Sequence, residues 1–428
     1  MEQYKEYKDS NVKWIGEIPS HWKAVQLRRI TTTVRTGTTP SGVSEIYFNK
    51  TGLCWFTPSD FENNYVLLDS EKHLSALGEK KVKIFPKNSI LMIGIGGTMG
   101  KVALAKVQCA SNQQINAIIP NNNVNPMFLV YYLKCMQDNI FKTARFTTLP
   151  ILNQLETKKI PIPIPPLFEQ QAIASYLDTK VAKIDSFIAT AEKKIVALDE
   201  LKQVIIADAV THGINPNIPM KDSGIPWIGM VPEHWESRSL SQIASEQNLP
   251  NKGMINDNLL SLSYGRIIRK SIDSANGLLP ASFETYQVIN NGNIILRFTD
   301  LQNDHKSLRV GLVKEEGIIT SAYTCITPKK SVLSEYLYFL LHSADIKKVF
   351  YGMGGGLRQN LNYAEFRKLR LMIPPLPEQN EIVAYLDRKV AQIDKMKAAE
   401  LTQINKLKEY KQRLISDVVT GKVKVTNE

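Results

Sequence analysis

The phrase "WIGEIPSHW" at residues 14–22 returns as "WIGMVPEHW" at residues 227–235. Both copies place Trp, Gly, Pro, His and Trp at the same spacing, although the chain has five tryptophans among 428 residues. A rare combination of residues repeated in this way indicates an internal duplication, in which one structural frame is used twice.

A second pair of similar segments follows the two phrases. The segment "IPPLFEQQAIASYLDTKVAKID" begins at Ile164, and "IPPLPEQNEIVAYLDRKVAQID" begins at Ile373. The phrases are offset by 213 residues and these segments by 209, so the two halves share a frame. The sequence between the repeated segments differs, which indicates that the two halves have different tasks.

Each repeated segment predicts the start of a long helix. Apolar residues recur at steps of three and four, the spacing of one helix face in a coiled coil. In the first copy these residues are Ile173, Leu177, Val181, Ile184, Ile188, Ala191, Ile195, Leu198, Leu201 and Ile205. The second copy continues the pattern through Ile382, Leu386, Val390, Ile393, Ile404, Leu407, Tyr410 and Leu414, with Lys397 and Glu400 as polar interruptions.

The ends of both helices are also predicted. The proline pairs at 165–166 and 374–375 suit a helix entrance, and Glu169 and Glu378 follow near the positive end of the helix dipole. Glycines at 213 and 421 predict the ends, giving about 40 residues and ~60 Å for each helix. We expect the helices to pack antiparallel, with Lys397 and Glu400 opposite apolar residues or facing a partner subunit.

The remaining sequence predicts two α+β domains. Short β-favouring runs such as "SILMIGI" and "NIILRFT" are broken by Gly, Asn and Pro, and each segment also has a shorter helical run near its end. The predicted divisions are residues 1–160 for the first domain, 161–213 for the central helix, 214–369 for the second domain and 370–428 for the C-terminal helix.

Charge and composition restrict the class of protein. The chain has 53 Lys and Arg against 41 Asp and Glu, and this net charge of +12 favours a polyanionic partner such as nucleic acid or an anionic membrane surface. No window reaches the ~20 apolar residues of a membrane span, and "MEQYKEYKDS" lacks a signal-peptide core. We therefore expect a cytoplasmic protein without a membrane partner.

Motifs for catalysis and metal binding fail or have simpler interpretations. In "IGIGGTMGKVAL", Ile95 and Val102 occupy places where a P-loop needs Gly and Ser or Thr, so the turn connects strands or approaches a DNA phosphate. His21 and His234 have no nucleophile nearby and are interpreted as parts of a repeated turn. The cysteines, Cys54, Cys109, Cys135 and Cys325, have no zinc or disulfide spacing and are predicted to be packing residues.

Five polar loops and the glycine-rich turn are the candidate DNA-binding elements, with ordinary turns as the alternative for each. They mix glycine with Arg, which matches guanine, with Asn and Gln, which match adenine, and with Lys, which binds phosphate. The residues predicted to contact DNA are Arg35, Thr38, Thr39, Gly97, Thr98, Lys101, Thr147, Thr148, Tyr264, Arg266, Arg297, Thr299, Asp300, Lys306, Arg309, Arg358, Gln359 and Asn360.

With these motifs, the chain resembles the specificity subunit of Type I restriction-modification systems over nearly its whole length. The resemblance lies in the doubled "WIG-x-x-P-x-HW", the doubled "IPPL-x-EQ-x-x-I-x-x-YLD-x-K-x-x-x-ID" and the two variable segments between them. It implies that the variable segments are target recognition domains on an antiparallel helical spacer, related by an approximate two-fold axis. Each domain would then read one half of a bipartite site in double-stranded DNA.

The resemblance also implies the other components of the complex. Two modification subunits that hold S-adenosylmethionine would dock on this chain, and restriction subunits that use ATP and Mg²⁺ can join. The chain itself is expected to be non-catalytic and to hold no cofactor or metal. Half-site centres about one helical turn apart, ~34 to 36 Å or ~10 base pairs, would suit two readers on one face of a duplex.

One departure and two alternatives complete the prediction. The glycine-rich turn at 94–100 has no glycine-rich counterpart in the second domain, where "RFTDLQNDHKSLR" lies in the corresponding region, so the two domains should read unlike sequences. A stand-alone DNA-modifying enzyme is disfavoured by the missing catalytic motifs. A coiled-coil adaptor is disfavoured by two large, dissimilar domains.

Overall fold

The chain folds as two compact units, which are Met1–Ala191 with Thr402–Glu428, and Glu192–Leu401. The computed structural model describes residues 2–41, 44–62, 65–142, 145–146, 150–271, 282–299, 301, 308–353 and 361–425. Each unit contains one α+β domain and a part of both long helices. Among the described residues, no helix is both long and apolar enough to cross a membrane.

The first unit is built from short strands and helices around apolar runs. Its strands are β1 (Tyr7–Asp9), β2 (Glu17–Pro19), β3 (Lys23–Gln26), β4 (Thr31–Thr36), β5 (Phe48–Asn49), β6 (Leu53–Phe56), β7 (Val66–Leu67), β8 (His73–Leu74), β9 (Ser89–Ile93), β10 (Val102–Ala105), β11 (Cys109–Ser111), β12 (Ile115–Pro120), β13 (Arg145–Phe146), β14 (Pro150–Ile151) and β15 (Pro161–Ile164). Its helices are α1 (Ala76–Glu79), α2 (Pro126–Cys135), α3 (Gln137–Lys142), α4 (Gln154–Lys159) and α5 (Leu167–His212), the last of which continues into the second unit.

Two sheets form the core of the first domain. One has the order β4-β12-β9-β10-β7 and the other the order β11-β6-β8-β5. Every residue of β9 and β10 is buried, as their continuous apolar runs predict. Strand β15, immediately before α5, pairs with β3, so the residues that lead into the long helix belong to a sheet of the domain.

The second unit repeats this plan. Its strands are β16 (Met220–Asp222), β17 (Met230–Pro232), β18 (Glu236–Ser239), β19 (Ala244–Gln247), β20 (Leu260–Ser263), β21 (Arg266–Arg269), β22 (Gln287–Ile289), β23 (Ile294–Leu296), β24 (Val310–Leu312), β25 (Gly317–Ile319), β26 (Thr324–Pro328) and β27 (Arg370–Ile373). Its helices are α6 (Leu240–Ile243), α7 (Ser334–Ile346), α8 (Tyr363–Phe366) and α9 (Leu376–Val419), and α9 ends in the first unit.

The central sheets of the two domains are equivalent. The order β19-β26-β23-β24 repeats β4-β12-β9-β10, and every neighbouring pair in both series is antiparallel. In the same way β27 pairs with β18 as β15 pairs with β3. The predicted α+β architecture with an internal repeat is confirmed, although the intervening sequences differ.

The repeated phrase and the repeated helix start bind each other in both units. In the first unit, Glu169 Oε2 accepts hydrogen bonds from Trp22 Nε1 at 3.0 Å and from the Tyr4 hydroxyl at 2.9 Å, while His21 Nε2 lies 2.6 Å from Oε1. In the second unit, Glu378 accepts from Trp235 Nε1 at 3.1 Å, and His234 Nε2 lies 2.6 Å from its carboxylate. We call each set a carboxylate latch.

The glutamine after each latch carboxylate makes a second repeated connection. Gln170 accepts from the Asn125 backbone N–H at 2.8 Å, at the N-cap of α2, and donates to the Pro165 carbonyl at 2.8 Å. Gln379 accepts from the Leu333 N–H at the N-cap of α7 and donates to the Pro374 carbonyl, both at 2.8 Å. The pair "EQ" therefore joins each long helix to two other elements of its domain.

The long helices are somewhat longer than predicted, at 46 residues for α5 and 44 for α9. Gly213 and Gly421 follow their ends with φ of +76° in both cases, a left-handed conformation that suits glycine. A side chain at Gly421 would lie 2.4 Å from Pro19 Cδ, so glycine is also required by close packing on the first phrase.

Ion pairs show that the two helices run antiparallel. In the second unit, Lys194, Asp199 and Lys202 of α5 pair with Glu400, Lys397 and Asp394 of α9, so α5 numbers rise as α9 numbers fall. In the first unit, Asp185 pairs with Lys411 at 2.6 Å. The expectation that Lys397 and Glu400 face apolar residues is wrong, because each meets an opposite charge on α5.

The apolar stripe also departs from the prediction. Leu201 of α5 is 47% exposed and Tyr410 of α9 is 49% exposed. By contrast Ile206, Ala209 and Val210 are buried in the core of the second domain. The last turns of α5 therefore pack on a globular domain and do not continue the predicted coiled-coil repeat.

The cross-helix ion pairs predict a measurable coupling. Lys397→Glu should place two carboxylates together and lower the free energy of unfolding by about 1 kcal/mol, and adding Asp199→Lys should recover most of that loss. Calorimetry of the full chain would measure both variants against Lys395→Glu, an exposed change on α9. A double variant as unstable as the single one would contradict the pairing.

The latches predict unequal costs in the two halves. Glu378→Ala should lower the free energy of unfolding by about 1 to 3 kcal/mol, because it leaves the buried indole N–H of Trp235 without its acceptor. Glu169→Ala should cost more, since Tyr4 also loses its acceptor. Urea unfolding would test this with Glu381→Ala, an exposed position on α9, as control; equal effects at 378 and 381 would argue against the latch.

Candidate nucleic-acid interface

Three loops of the first domain meet at one edge of its central sheet. Thr36, the last residue of β4, pairs with Asn116 of β12, and Ile93, the last residue of β9, pairs with Ile115. Because these neighbouring strands are antiparallel, the loops at 37–39, 94–100 and 112–114 all extend from the same edge. The sequence predicted two of these loops separately, and the structure brings them together.

The loop at 37–39 is held close to the neighbouring backbone. The Gly37 N–H donates to the Ile115 carbonyl at 3.0 Å and the Thr38 N–H to the Ser111 carbonyl at 2.7 Å. A Cβ at Gly37 would lie 2.2 Å from the Asn112 carbonyl oxygen, so this approach requires glycine. Trp55 Nε1 donates to the Thr38 carbonyl at 3.2 Å, and this hydrogen bond ties the loop to strand β6.

The predicted contact residues of this loop differ in exposure. Arg35 and Thr39 are exposed, whereas Thr38 is half-buried. The Thr39 hydroxyl donates to the side-chain oxygen of Gln113, an exposed residue of the adjacent loop. Arg35 lies on β4 beside the buried Val34 and on the opposite face of the strand.

The glycine-rich turn packs against β14 and the residue that follows it. The Leu152 N–H donates to the Gly94 carbonyl at 2.7 Å, and the Gly96 N–H donates to the Pro150 carbonyl at 3.2 Å. Gly97 and Thr98 are exposed at the tip. Lys101 is half-buried, and its ammonium donates to the Phe61 carbonyl at 3.4 Å. Thr147 and Thr148 lie outside the described residues.

A buried polar network anchors these loops, and its centre is Asn116, which is 3% exposed. Its side-chain oxygen accepts from the Thr36 hydroxyl at 2.8 Å, and its amide donates to the Leu152 carbonyl at 2.8 Å and to the Thr157 hydroxyl at 3.1 Å. The sequence prediction missed Asn116. The signal that could have found it is its position as a single amide side chain in the apolar run "INAIIP".

The second domain presents the equivalent sheet edge. Gln247 at the end of β19 pairs with Cys325 of β26, and Leu296 at the end of β23 pairs with Thr324. The loop 297–309 follows β23 and so corresponds to the glycine-rich turn after β9, as the sequence predicted. Of its predicted contact residues, Asp300 and Lys306 lie outside the described residues, as do Arg358, Gln359 and Asn360 of another predicted loop.

Arg309 is corrected by the structure. It is fully buried, and its guanidinium donates to the Thr299 carbonyl at 2.8 Å, to the Arg297 carbonyl at 3.3 Å and to the Tyr351 hydroxyl at 3.2 Å. Its backbone N–H donates to Asp345 Oδ2 at 2.6 Å. The guanidinium therefore has no surface to offer to DNA, and it joins the two ends of the loop. Nearby, Thr299 is exposed and Arg297 is half-buried.

Tyr264 and Arg266 occupy the turn of the β20–β21 hairpin. Tyr264 and Gly265 have φ of 46° and 75°, the conformation of a tight hairpin turn, and the Tyr264 side chain is 75% exposed. A Cβ at Gly265 would lie 3.0 Å from Leu308 Cβ, so this turn lies beside the end of the 297–309 loop. The hairpin also borders a cleft of 1210 Å³ whose lining includes Lys202 and Lys397.

The family to which the chain belongs is clear from its similarity to known proteins. The family model for the Type I restriction modification DNA specificity domain matches residues 19–196 and again residues 232–406. Each match covers one α+β domain and the first part of the long helix that follows it. The duplication read from the two phrases therefore corresponds to two copies of one family domain.

Individual relatives are similar over most of their length. The MjaVIII specificity subunit of Methanocaldococcus jannaschii is 23% identical, over 98% of this chain and 98% of the relative. The EcoBI specificity subunit of Escherichia coli is 21% identical, over 79% of this chain and 74% of the relative.

Solved structures show the same fold. A chain from work on complex assembly and conformational transition of the type I R-M system matches with a TM-score of 0.70 and 14% identity, over 94% of this chain and 98% of that one. The HsdS subunit from Thermoanaerobacter tengcongensis matches with a TM-score of 0.53 and 16% identity, over 95% and 98% of the two chains. Because the family model covers most of the sequence in two copies, this chain belongs to the Type I restriction-modification DNA specificity family.

Proposed function

We propose that this chain reads the target sequence for a Type I restriction-modification complex, with each α+β domain contacting one half of a bipartite DNA site. The observation that supports this most is the pair of equivalent sheet edges, which carry unlike loops on one repeated frame. Equivalent sheets would present the loops of the two domains to DNA in the same way, and the different loop sequences would let each domain recognise different bases.

The chemistry of the first edge suits DNA. Arg35, Thr39, Thr98 and Gln113 offer a guanidinium, two hydroxyls and an amide at the surface. A guanidinium pairs with guanine, an amide pairs with adenine, and hydroxyls bind bases or phosphates. The Thr38 and glycine backbone then serves to place these side chains, and Lys101 contacts phosphate only if it leaves the Phe61 carbonyl.

The second edge would read a different set of bases. Its exposed groups include Thr299, Tyr264 and Arg266, and the half-buried Arg297 lies 3.4 Å from the Thr299 hydroxyl through its Nε. An aromatic ring beside arginine offers stacking and apolar contact in addition to hydrogen bonds. The remaining predicted contacts of this domain, at residues 300, 306 and 358–360, stay part of the proposal.

Catalysis would reside in partner subunits. We propose that two modification subunits with S-adenosylmethionine dock on this chain, that restriction subunits with ATP and Mg²⁺ can join them, and that the chain itself binds none of these three. The position of His21 and His234 in the latches supports a structural role for both, because Nε2 of each imidazole contacts the carboxylate at a helix start.

Exchange of a recognition domain tests the proposal. Replacing residues 20–160 with the equivalent segment of a relative should change one half of the methylated site and preserve the other, because the segment is bounded by the repeated frame. The measurement is the map of methylated adenines after co-expression with the modification subunits. The control is the reciprocal exchange of residues 232–369, which should change only the other half.

Two other measurements could contradict the proposal. Methyl transfer by the purified chain alone would show that it is an enzyme. An assembled complex that fails to bind DNA would support the adaptor alternative.

Arg309 should control the specificity of the second half-site without contacting DNA. Arg309→Lys keeps the charge but loses the fixed planar donors, in which Nη1 binds both loop carbonyls and Nε binds Tyr351, so the sequence preference of this half-site should relax. Arg309→Met should in addition lower the free energy of unfolding by about 1.5 to 3 kcal/mol. The readouts are the methylation map and calorimetry.

The matched control is Arg238→Met, which removes an exposed arginine paired with Glu236 in the same domain. It should leave both half-sites unchanged. Equal relaxation of both half-sites by Arg309→Lys, or unchanged specificity in a folded variant, would refute the positioning role.

A further inference from the structure

Three side chains of the first domain meet in a way that its sequence spacing does not suggest. Cys54 of β6 lies directly opposite His73 of β8 in the antiparallel register, and Asp69 lies in the turn that precedes β8. Asp69 Oδ1 is 2.7 Å from His73 Nε2 and 3.5 Å from Cys54 Sγ. Among the described residues, these form the group of three Cys, His or carboxylate side chains whose ligand atoms lie within 4.8 Å of one another.

From this geometry we infer that Cys54, Asp69 and His73 bind a divalent transition metal ion of the zinc class. A tetrahedral zinc ion with bonds of about 2.0 to 2.3 Å keeps its ligand atoms roughly 3.3 to 3.8 Å apart. The separation of sulfur and carboxylate oxygen already lies in this range. The separation of Nε2 and Oδ1 is that of a hydrogen bond, so these two atoms must part by roughly half an ångström on metal binding.

The environment of the three groups also favours a metal site. Cys54 is 8% exposed and the His73 side chain is 13% exposed, while the Asp69 side chain is 75% exposed. Two of the ligands are therefore held by the surrounding protein, and the third is open to solvent. One nitrogen, one sulfur and one carboxylate oxygen are ligands that zinc prefers. Solvent would complete the coordination.

The imidazole of this group has only one of its two nitrogens engaged by described residues. His73 Nδ1 is buried and, within the described part of the chain, has no hydrogen-bond partner. An imidazole whose first nitrogen meets a carboxylate normally has a second partner for the other nitrogen. The described protein groups therefore do not account for both nitrogens of this imidazole.

The bound ion would stabilise the strand behind the first DNA-reading loop. Trp55 follows Cys54 on β6, and its indole N–H is the donor that holds the Thr38 carbonyl. An ion that ties β6 to β8 therefore limits the motion of Trp55. This role is structural, and it does not depend on the proposed recognition of DNA.

Cobalt binding tests the site directly, because a cysteine-bound Co²⁺ gives a thiolate charge-transfer band. The reduced full chain, free of any histidine tag, should bind about one Co²⁺ with such a band, and Zn²⁺ should displace it and raise the melting temperature. Cys54→Ser should abolish the band. Asp69→Asn, a change at an exposed side chain, should weaken binding by about tenfold or more.

Asp208→Asn is the matched control, since Asp208 and His212 form a similar pair four residues apart without a cysteine. It should leave Co²⁺ binding unchanged, as should Cys135→Ser. A cobalt complex without a thiolate band, or equal effects of Asp69→Asn and Asp208→Asn, would overturn the assignment. Because Asp69 is exposed, the test stands even if Cys54→Ser fails to fold.

Discussion

The rest of this structure depends on one interaction, the hydrogen bond from a buried indole N–H to a glutamate at the start of a long helix. Trp22 and Trp235 are 0% and 1% exposed, and a buried indole needs an acceptor for its N–H. Glu169 and Glu378 supply it from the first turn of α5 and α9, where the helix dipole also favours a carboxylate. One hydrogen bond thus gives the buried indole its acceptor and places a carboxylate at the positive end of the helix dipole.

The same contact explains why the two repeated motifs occur together. The phrase with two tryptophans provides the donor and a histidine, and the helix start provides the carboxylate and the adjacent glutamine. Because the glutamine binds the N-cap of α2 or α7, each domain is joined to its long helix at two places. Once these contacts exist, the sequence between the motifs is free to vary as long as it forms the central sheet.

The sequence predicted the parts that follow from local periodicity and repetition. The two long helices, their glycine ends and the α+β domains follow from patterns within one segment, and the equivalence of residues 297–309 with the glycine-rich turn follows from the repeat. Contacts between distant segments could not be predicted in this way. The opposite charges that meet Lys397 and Glu400, the burial of Arg309 and the group at Cys54, Asp69 and His73 depend on tertiary packing that spacing does not report.

The two domains anchor their loops with different chemistry, and the strand register shows why. Asn116 pairs with Thr36 and Met92, and the residue with the same pairing in the second domain is Cys325, opposite Gln247 and Ile295. Burial raises the pKa of the Cys325 thiol to about 12, so this group remains a neutral thiol and a weak hydrogen-bonding partner.

The second domain must therefore anchor its loop from another position, and the guanidinium of Arg309 does so through the carbonyls of Arg297 and Thr299. A loop and its buried anchor consequently form one unit: a recognition loop moved without its anchor would lose its shape, because the residue at the paired position in the other domain makes different hydrogen bonds. The smallest portable element of specificity is then the whole domain with its sheet, which is the element that the repeated frame encloses.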